Sequence, residues 1–333
     1  MPSSSSALPL PFLNGSAPTA KHLHVVLPYA AMPDISCQHW LQKLSLPNLE
    51  HLLRHLPASH IDQATGEHTI APHERVLASA WGLSRQQPAW ASLQEGISDT
   101  PCAWLTPCHW TAGADQVRMD DPASLHLNAQ DAQTLLELLQ PWFLEDGLTL
   151  RIVEPHLWCV SGSALAHVQT ASLDRVVLRD VTPWLPSATT ARQLHRLHSE
   201  VQMLLYNHEF NAARQAARLQ PINAFWLHGA GQLSAAQLQQ ARSQQAQSTI
   251  QVVDTLRQSA LRQDWQAWQL AWQHADAGPL AALRTHIANG GQGSLSLCGE
   301  LHARSFQTAP RSISAKLKSI FSPQRFADLH QAL

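Results

Sequence analysis

The stretch that decides the fold is Glu200–Gly231, which reads EVQMLLYNHEFNAARQAARLQPINAFWLHGAG. It continues a helix predicted over 191–206, whose apolar side chains recur on one face. The apolar run Ala224–Leu227 predicts a strand, and Gly229-Ala230-Gly231 predicts a turn that closes this strand. A long helix followed by a buried strand and a glycine turn is typical of an α/β fold.

Polar residues in the same stretch predict a ligand site. A glycine turn after a strand can present backbone N–H groups to an anion, and Arg214 can bind a phosphate or carboxylate through two hydrogen bonds. The predicted ligand-binding residues are Asn211, Arg214, Asn223, His228, Gly229 and Gly231. An alternative stays open, in which Asn211, Arg214 and Asn223 only brace the junction between helix and strand by hydrogen bonds to the backbone.

The rest of the chain alternates strands and helices. Strands are predicted at 22–27, 103–105, 116–119, 148–153, 157–160 and 294–297, and helices from Pro47, at 72–81, at 131–139 and at 235–249. Alternation of this kind predicts an α/β sheet with flanking helices. The strand-rich section around 103–190 interrupts this alternation and is predicted to be an insertion. We expect 1–20, rich in Ser and Pro, to be a disordered tail, and 21–333 to form a single domain.

Composition excludes several function classes. The chain has 333 residues, 44% of them hydrophobic and 14% charged, with a formal net charge of -2. Without a basic excess, binding to nucleic acid is not expected. No run of about eighteen apolar residues predicts a membrane span. Five cysteines, an odd number without a CxxC pair, do not describe a disulfide framework. These features predict a cytoplasmic protein in a reducing compartment.

Three tryptophans recur at helical spacing in the last third of the chain. Trp265, Trp268 and Trp272 stand at i, i+3 and i+7. This spacing favours a stripe that packs into the core. The alternative is an exposed aromatic surface that binds another protein.

The order of residues in 200–231 resembles the archaeal-type cofactor-independent phosphoglycerate mutases of the alkaline-phosphatase superfamily. That family carries H-P-x-N-x-x-R, then P-x-N, a strand and R-G-A-G. The matching residues here are His208, Asn211, Arg214, Pro221, Asn223, Gly229, Ala230 and Gly231. Glu209 replaces the family's proline and His228 its arginine. The resemblance implies a reduced alkaline-phosphatase-like sheet.

A closer likeness connects the chain with proteobacterial proteins described as RpfE-type regulatory proteins. It is carried by 104–110 (WLTPCHW), 145–147 (EDG), 171–176 (ASLDRV) and 202–206 (QMLLY). This likeness implies a regulatory role in a bacterial cell and names no chemistry.

The mutase resemblance implies two divalent metal ions held by Asp and His, and a serine that carries the phosphoryl group. The chain departs from the family at these positions. After the first strand it reads Pro28-Tyr29-Ala30-Ala31, with no carboxylate before Asp34, and after the strand at 294–297 it reads Cys298-Gly299-Glu300 in place of Asp-His. These departures put mutase activity in doubt.

Other residues offer weaker metal-ligating pairs. His22 and His24 share one face of a strand, His51 and His55 are spaced i, i+4 on a helix, and Cys102, Cys108 and His109 are near in sequence. With 20 histidines in the chain, such pairs arise by chance. The sequence therefore predicts no metal site.

The function predicted from the sequence is a non-catalytic regulatory or anion-binding protein, a pseudoenzyme without cofactor. Its expected partner is a small anionic or phosphorylated ligand, and no protein partner is specified. The alternative is an active phosphoglycerate mutase or phosphatase that uses Mn²⁺ or Mg²⁺ with unconventional ligands.

Overall fold

The computed structural model describes residues 22–33, 35–41, 43–62, 68–187, 191–308, 326–329 and 333. The tail predicted at 1–20 and the basic residues from Arg311 to Arg325 lie outside the described residues. Within the described ranges, no helix has both the length and the apolar character needed to cross a bilayer.

The strands in chain order are β1 (His22–Leu27), β2 (Ala58–Asp62), β3 (Cys102–Cys108), β4 (Trp110–Ala112), β5 (Val117–Met119), β6 (Thr149–Glu154), β7 (Leu157–Ser161), β8 (Ala224–Gly231), β9 (Thr249–Val252), β10 (Gln292–Cys298) and β11 (Ala303–Gln307). The helices are α1 (Ile35–Leu41), α2 (Pro47–His55), α3 (Pro72–Ala80), α4 (Trp90–Glu95), α5 (Ala129–Glu145), α6 (Arg192–Tyr206), α7 (Glu209–Ala216), α8 (Ala235–Gln247), α9 (Asp254–Leu261), α10 (Trp265–Ala275), α11 (Ala281–Ala288) and α12 (Phe326–Leu329). Helices packed beside mixed sheets confirm the predicted α/β class.

The chain divides into two compact units. One is Leu83–Arg242, and the other combines the described residues of Leu13–Gly82 with those of Ser243–Leu333. The first unit contains the strand-rich section, but it begins before and ends after the insertion predicted at 103–190. That 21–333 forms a single domain stays a prediction.

The unit formed by Leu13–Gly82 and Ser243–Leu333 is built on a five-stranded mixed sheet. Its order is β2-β11-β10-β1-β9. β9, β1 and β10 run parallel, and β11 is antiparallel to both of its neighbours, β10 and β2. The last residues of β1, from Val25 to Leu27, are fully buried. Such a continuous apolar run is what a parallel strand covered on both faces requires.

The tryptophan stripe lies in the core of this unit. Trp268 and Trp272 are fully buried, and Trp265 is partly buried and packs against the same cluster. The rings of Trp265 and Trp272 each meet Trp268 edge-on at 6.1 Å. The core interpretation of the stripe is therefore confirmed.

The start of α2 is capped by a residue more than two hundred positions away. Leu46, which precedes α2, has no capping oxygen, but the buried carboxylate of Asp276 accepts from the backbone N–H of Asn48 at 3.2 Å and of Leu49 at 2.8 Å. A carboxylate at a helix N-terminus satisfies donors that lack a partner within the helix. The Pro47 helix start is confirmed, and its capping residue could not be read from neighbouring sequence.

The unit Leu83–Arg242 contains an antiparallel sheet in the order β6-β7-β3-β8 and the small hairpin β4-β5. Apolar faces of α5 and α6 pack on the sheet, through residues such as Leu135, Phe143, Leu197 and Val201. β8 is the last strand of the four, and it runs directly from the junction that follows α7. The Glu200–Gly231 stretch therefore forms one edge of this sheet.

The turn predicted at Gly229–Gly231 is wrong, because β8 continues through these residues to Gly231. Gly229 has φ of +60°, and the register of β8 against β3 shifts between Cys102 and Trp104. The glycine therefore forms an irregularity inside the strand, where a left-handed residue lets the chain bulge without leaving the sheet.

Candidate functional site

Asn211 bridges the end of α6 and the start of β8. It is buried, and its Nδ2 donates to the carbonyls of Leu205 at 2.9 Å and Ile222 at 2.7 Å. Its Oδ1 accepts from the backbone N–H of Ile222 at 2.9 Å. Both donors of the amide are engaged, so Asn211 ties the two elements together as the bracing interpretation requires.

Arg214 is buried beneath the loop that leads into α5. Nε donates to the Gln220 carbonyl at 2.9 Å, Nη1 to the Asp131 carboxylate at 3.1 Å, and Nη2 to the Leu125 carbonyl. Burial lowers the pKa of the guanidinium, and the charge of Asp131 opposes this effect. Three donors of Arg214 thus join segments of the protein, and an anion at this position would compete with those contacts.

Asn223 and His228 also direct their polar atoms into the protein. The side-chain amide of Asn223 accepts from Trp110 N at 2.7 Å and donates to Trp110 O at 2.9 Å, which imitates a pair of strand hydrogen bonds. His228 is buried, with Nε2 3.0 Å from the hydroxyl oxygen of Thr106. Both residues therefore stabilise the neighbourhood of β3 and β8.

Gly229 and Gly231 permit close packing. A Cβ on Gly229 would lie 3.0 Å from both the Trp104 ring and the Cβ of Trp90, and a Cβ on Gly231 would lie 2.6 Å from the Cβ of Ala89. The structure places Asn211, Arg214 and Asn223 at the start of β8 and His228, Gly229 and Gly231 near its other end, and it gives each of the six predicted ligand-binding residues a packing or hydrogen-bonding role. Their role in ligand binding stays a prediction.

The carboxyl ends of β1 and β10 form a second place where a ligand is expected, because open α/β sheets bind ligands at the ends of parallel strands. Tyr29, Ala30 and Ala31 follow β1 and are fully buried. The Ala30 N–H donates to the Cys298 carbonyl at 2.7 Å, and the Trp268 indole donates to the Tyr29 carbonyl at 2.9 Å. Tyr29, Ala30 and Ala31 therefore fill the space directly after β1, and the buried imidazole of His73 lies 6.0 Å from the Tyr29 ring.

The chemistry of this edge does not suit a divalent metal ion. Burial raises the pKa of the Cys298 thiol, so this thiol is protonated in the protein without a metal ion. The nearby Asp62 carboxylate accepts from Arg75 Nε at 2.7 Å, in a buried ion pair that neutralises its charge. Asp34, the next carboxylate in the sequence, lies outside the described residues. Within the described part of the chain, no three His, Cys, Asp or Glu side chains are placed to hold a metal ion.

The histidine pairs are likewise engaged with the protein or with each other. His22 and His24 each contact a serine hydroxyl of β10, at 2.9 Å for Ser294 and 2.8 Å for Ser296. The rings of His51 and His55 stack at 4.1 Å. The two strand histidines therefore add polar contacts between parallel strands.

A pocket that sequence reasoning missed lies between α6 and β8. It encloses about 420 Å³ of empty space, part of it open to solvent, and is lined by Leu194, His195 and His198 of the helix and Phe225, Trp226 and Leu227 of the strand. The helical spacing of the three α6 residues was visible in the sequence. The sequence did not show that β8 lies opposite these residues, since this depends on the tertiary arrangement.

His198 is the most informative residue of the pocket. Its ring stacks on Phe225 at 4.8 Å and lies 4.3 Å from the ring of Trp110. Its Nε2 is buried and has no hydrogen-bond partner among the described residues. Burial lowers the pKa of His198 to about 4, with a smaller contribution from His195, so the ring is neutral at pH 7. His198 therefore contributes a neutral ring that is packed between aromatic side chains.

Comparison with known proteins yields distant structural likenesses only. No protein-family model matches the chain, and no curated protein matches it. A cofactor-independent phosphoglycerate mutase from Thermoplasma acidophilum is 13% identical with a TM-score of 0.39, over 95% of this chain and 100% of that one. The PH0037 protein from Pyrococcus horikoshii is 11% identical with a TM-score of 0.42, over 87% of each chain. Because both TM-scores are low, we derive neither family nor function from them.

Proposed function

We propose that this chain is a non-catalytic binding or regulatory protein, related to the phosphoglycerate mutases in the order of its 200–231 residues but without their metal-dependent chemistry. The observation that carries the proposal is the set of residues at the carboxyl ends of β1 and β10. A mutase-like reaction would need carboxylate and imidazole ligands directly after these strands, where the chain has Tyr29, Ala30, Ala31 and Cys298. The Asp62 carboxylate nearby is ion-paired with Arg75, and the His73 imidazole is buried beside the Tyr29 ring.

The electrostatics of this edge support the non-catalytic hypothesis. Phosphoryl transfer depends on positive charge that stabilises the transferring group, and this stabilisation accounts for most of the rate enhancement. At this edge the positive charge of Arg75 is already paired with the Asp62 carboxylate. The regulatory role implied by the likeness to RpfE-type proteins fits a chain of this kind, and an active mutase would require ligands from elsewhere.

Metal binding tests the proposal through protein stability. A metal ion that binds only the folded state stabilises it by about 2.7 kcal/mol at a hundred times its dissociation constant. We expect the melting temperature to stay the same when millimolar Mn²⁺ or Mg²⁺ is added, and the protein purified without chelator to contain less than one metal ion per chain. A stoichiometric metal content, together with a melting temperature that falls on adding chelator, would contradict the proposal.

A further inference from the structure

Three apolar residues near the end of the sequence pack into the core of the unit that contains β1 and β10. Phe326 and Leu329 of α12 and Leu333 are buried members of this hydrophobic core. The Phe326 ring lies 5.0 Å from the Trp272 ring, and the Phe326 backbone N–H donates to the Glu50 carboxylate at 3.4 Å. Apolar residues spaced i, i+3 and i+7 are the anchors with which a short segment docks in an apolar groove.

The turn that joins β10 to β11 holds Leu333. Gly299 closes this turn, because its N–H donates to the His302 carbonyl at 2.9 Å. The Leu333 carbonyl oxygen accepts from the backbone N–H of His302 at 3.0 Å and from that of Leu301 at 3.4 Å. Adjacent backbone donors that meet one oxygen are a known way of capturing the end of a peptide. The turn follows the carboxyl end of β10, where open α/β sheets bind ligands.

Gly299 provides the space that Leu333 occupies. A Cβ at position 299 would overlap the Leu333 carbonyl group and lie 2.7 Å from the Leu333 Cβ. The φ angle of Gly299 lies outside the left-handed region, so the backbone conformation does not require glycine at this position. The missing side chain is therefore what allows Leu333 to reach the donors of the turn.

We propose that the β10–β11 turn and the adjoining core face form a peptide-binding site, which Phe326, Leu329 and Leu333 occupy in cis and which an apolar segment of another protein occupies when they are released. Burial of three apolar side chains favours docking and the ordering of their backbone opposes it, and these two terms are of the same order. A competing segment can therefore displace them. The proposal rests on the proposed binding role and specifies its partner, a peptide with an aromatic residue and two leucines at this spacing.

Digestion of the 333-residue chain with carboxypeptidase A tests the contact at Leu333. We expect Gly299→Ala to release leucine at least tenfold faster than the wild type, because the added Cβ displaces Leu333 from the turn. Gly278→Ala is the matched control, since a Cβ at position 278 meets no atom within 4 Å, and it should release leucine at the wild-type rate. Equal rates for the wild type and Gly299→Ala would overturn the proposal.

Peptide binding tests whether the vacated site accepts a partner. Leu329→Asp combined with Leu333→Asp should release the chain's own segment. Fluorescence anisotropy should then show saturable binding of a labelled peptide with the sequence of residues 326–333 (FADLHQAL), at least tenfold tighter than to the wild type. Adding Gly299→Ala to the double variant should weaken this binding at least tenfold, and adding Gly278→Ala should leave it unchanged.

Circular dichroism should show that the double variant keeps the helix and strand content of the wild type. An unfolded double variant would overturn the proposal, because the segment would then be an obligatory part of the core. Absence of saturable peptide binding by the folded double variant, or binding that Gly299→Ala does not weaken, would also overturn it. None of these readouts involves metal or turnover, so their failure is distinguishable from failure of the proposed function.

Discussion

Replacing Arg214 with alanine should lower the free energy of unfolding by about 2 to 4 kcal/mol, as expected when a buried charged group loses several hydrogen bonds. The substitution removes the partner of the Asp131 carboxylate and of the Leu125 and Gln220 carbonyls at once. These three groups belong to different segments, so the loss should loosen the start of α5 as well as the end of α7. Urea denaturation followed by circular dichroism measures the effect.

Two further variants make this prediction specific. Arg192→Ala removes an exposed arginine at the start of α6 and should change the free energy of unfolding by less than about 0.5 kcal/mol. Arg214→Lys retains the charge but not the planar guanidinium group, and its free energy of unfolding should lie between those of Arg214→Ala and the wild type. If Arg214→Ala were as stable as Arg192→Ala and had instead lost affinity for phosphate, the bracing role would be wrong and the anion site supported.

Acidification below about pH 6.5 should lower the free energy of unfolding, because two buried histidines stay neutral in the folded protein. Burial lowers the pKa of His24 to about 3, with a further contribution from His22, and lowers that of His198 to about 4. In the unfolded chain both groups take up a proton near pH 6.5, whereas in the folded protein they stay neutral. The unfolded state therefore binds more protons, and stability falls as the pH drops below about 6.5.

Each of these two histidines should cost about 1.4 kcal/mol per pH unit in this window, or about 2 kcal/mol between pH 6.5 and pH 5. The loss continues down to the folded pKa of each group. Urea denaturation at pH 7, 6 and 5 measures the slope, which should become shallower in His24→Gln and in His198→Phe. His167→Gln, at an exposed position, should leave the slope of the wild type unchanged. An unfolding free energy that is the same at pH 7 and pH 5 would contradict the prediction.

Periodicity predicted several of the elements, but it predicted none of the strands β2, β9 and β11 and it did not predict the site. The α6 stripe and the apolar runs of β1 and β10 follow from local spacing, and the structure has these elements where the sequence predicts them. The cap of α2 by Asp276 joins residues far apart in the chain, which no local pattern reveals. Gly229 and Gly231 predicted a turn because glycine is common in turns, whereas the close approach of Trp90, Trp104 and Ala89 explains these two glycines inside a strand.

The polar residues of 200–231 show a related limit of sequence reasoning. A motif identifies residues that lie together but does not indicate whether their donors point outward or inward. Asn211 and Arg214 lie where the motif places them, and their side chains donate to backbone carbonyls and to Asp131. The pocket at His198 was missed because its opposite wall comes from a strand whose position depends on the whole sheet.

The most direct test of the central claim is conversion of 3-phosphoglycerate to 2-phosphoglycerate by the purified full-length chain with Mn²⁺ supplied, in parallel with a chelator-treated sample. We expect no conversion above the protein-free blank in either sample, because the positive charge of Arg75 at the edge formed by β1 and β10 is already paired with the Asp62 carboxylate. Turnover that depends on Mn²⁺ and disappears with chelator would contradict the non-catalytic account and show that ligands outside this edge hold the metal.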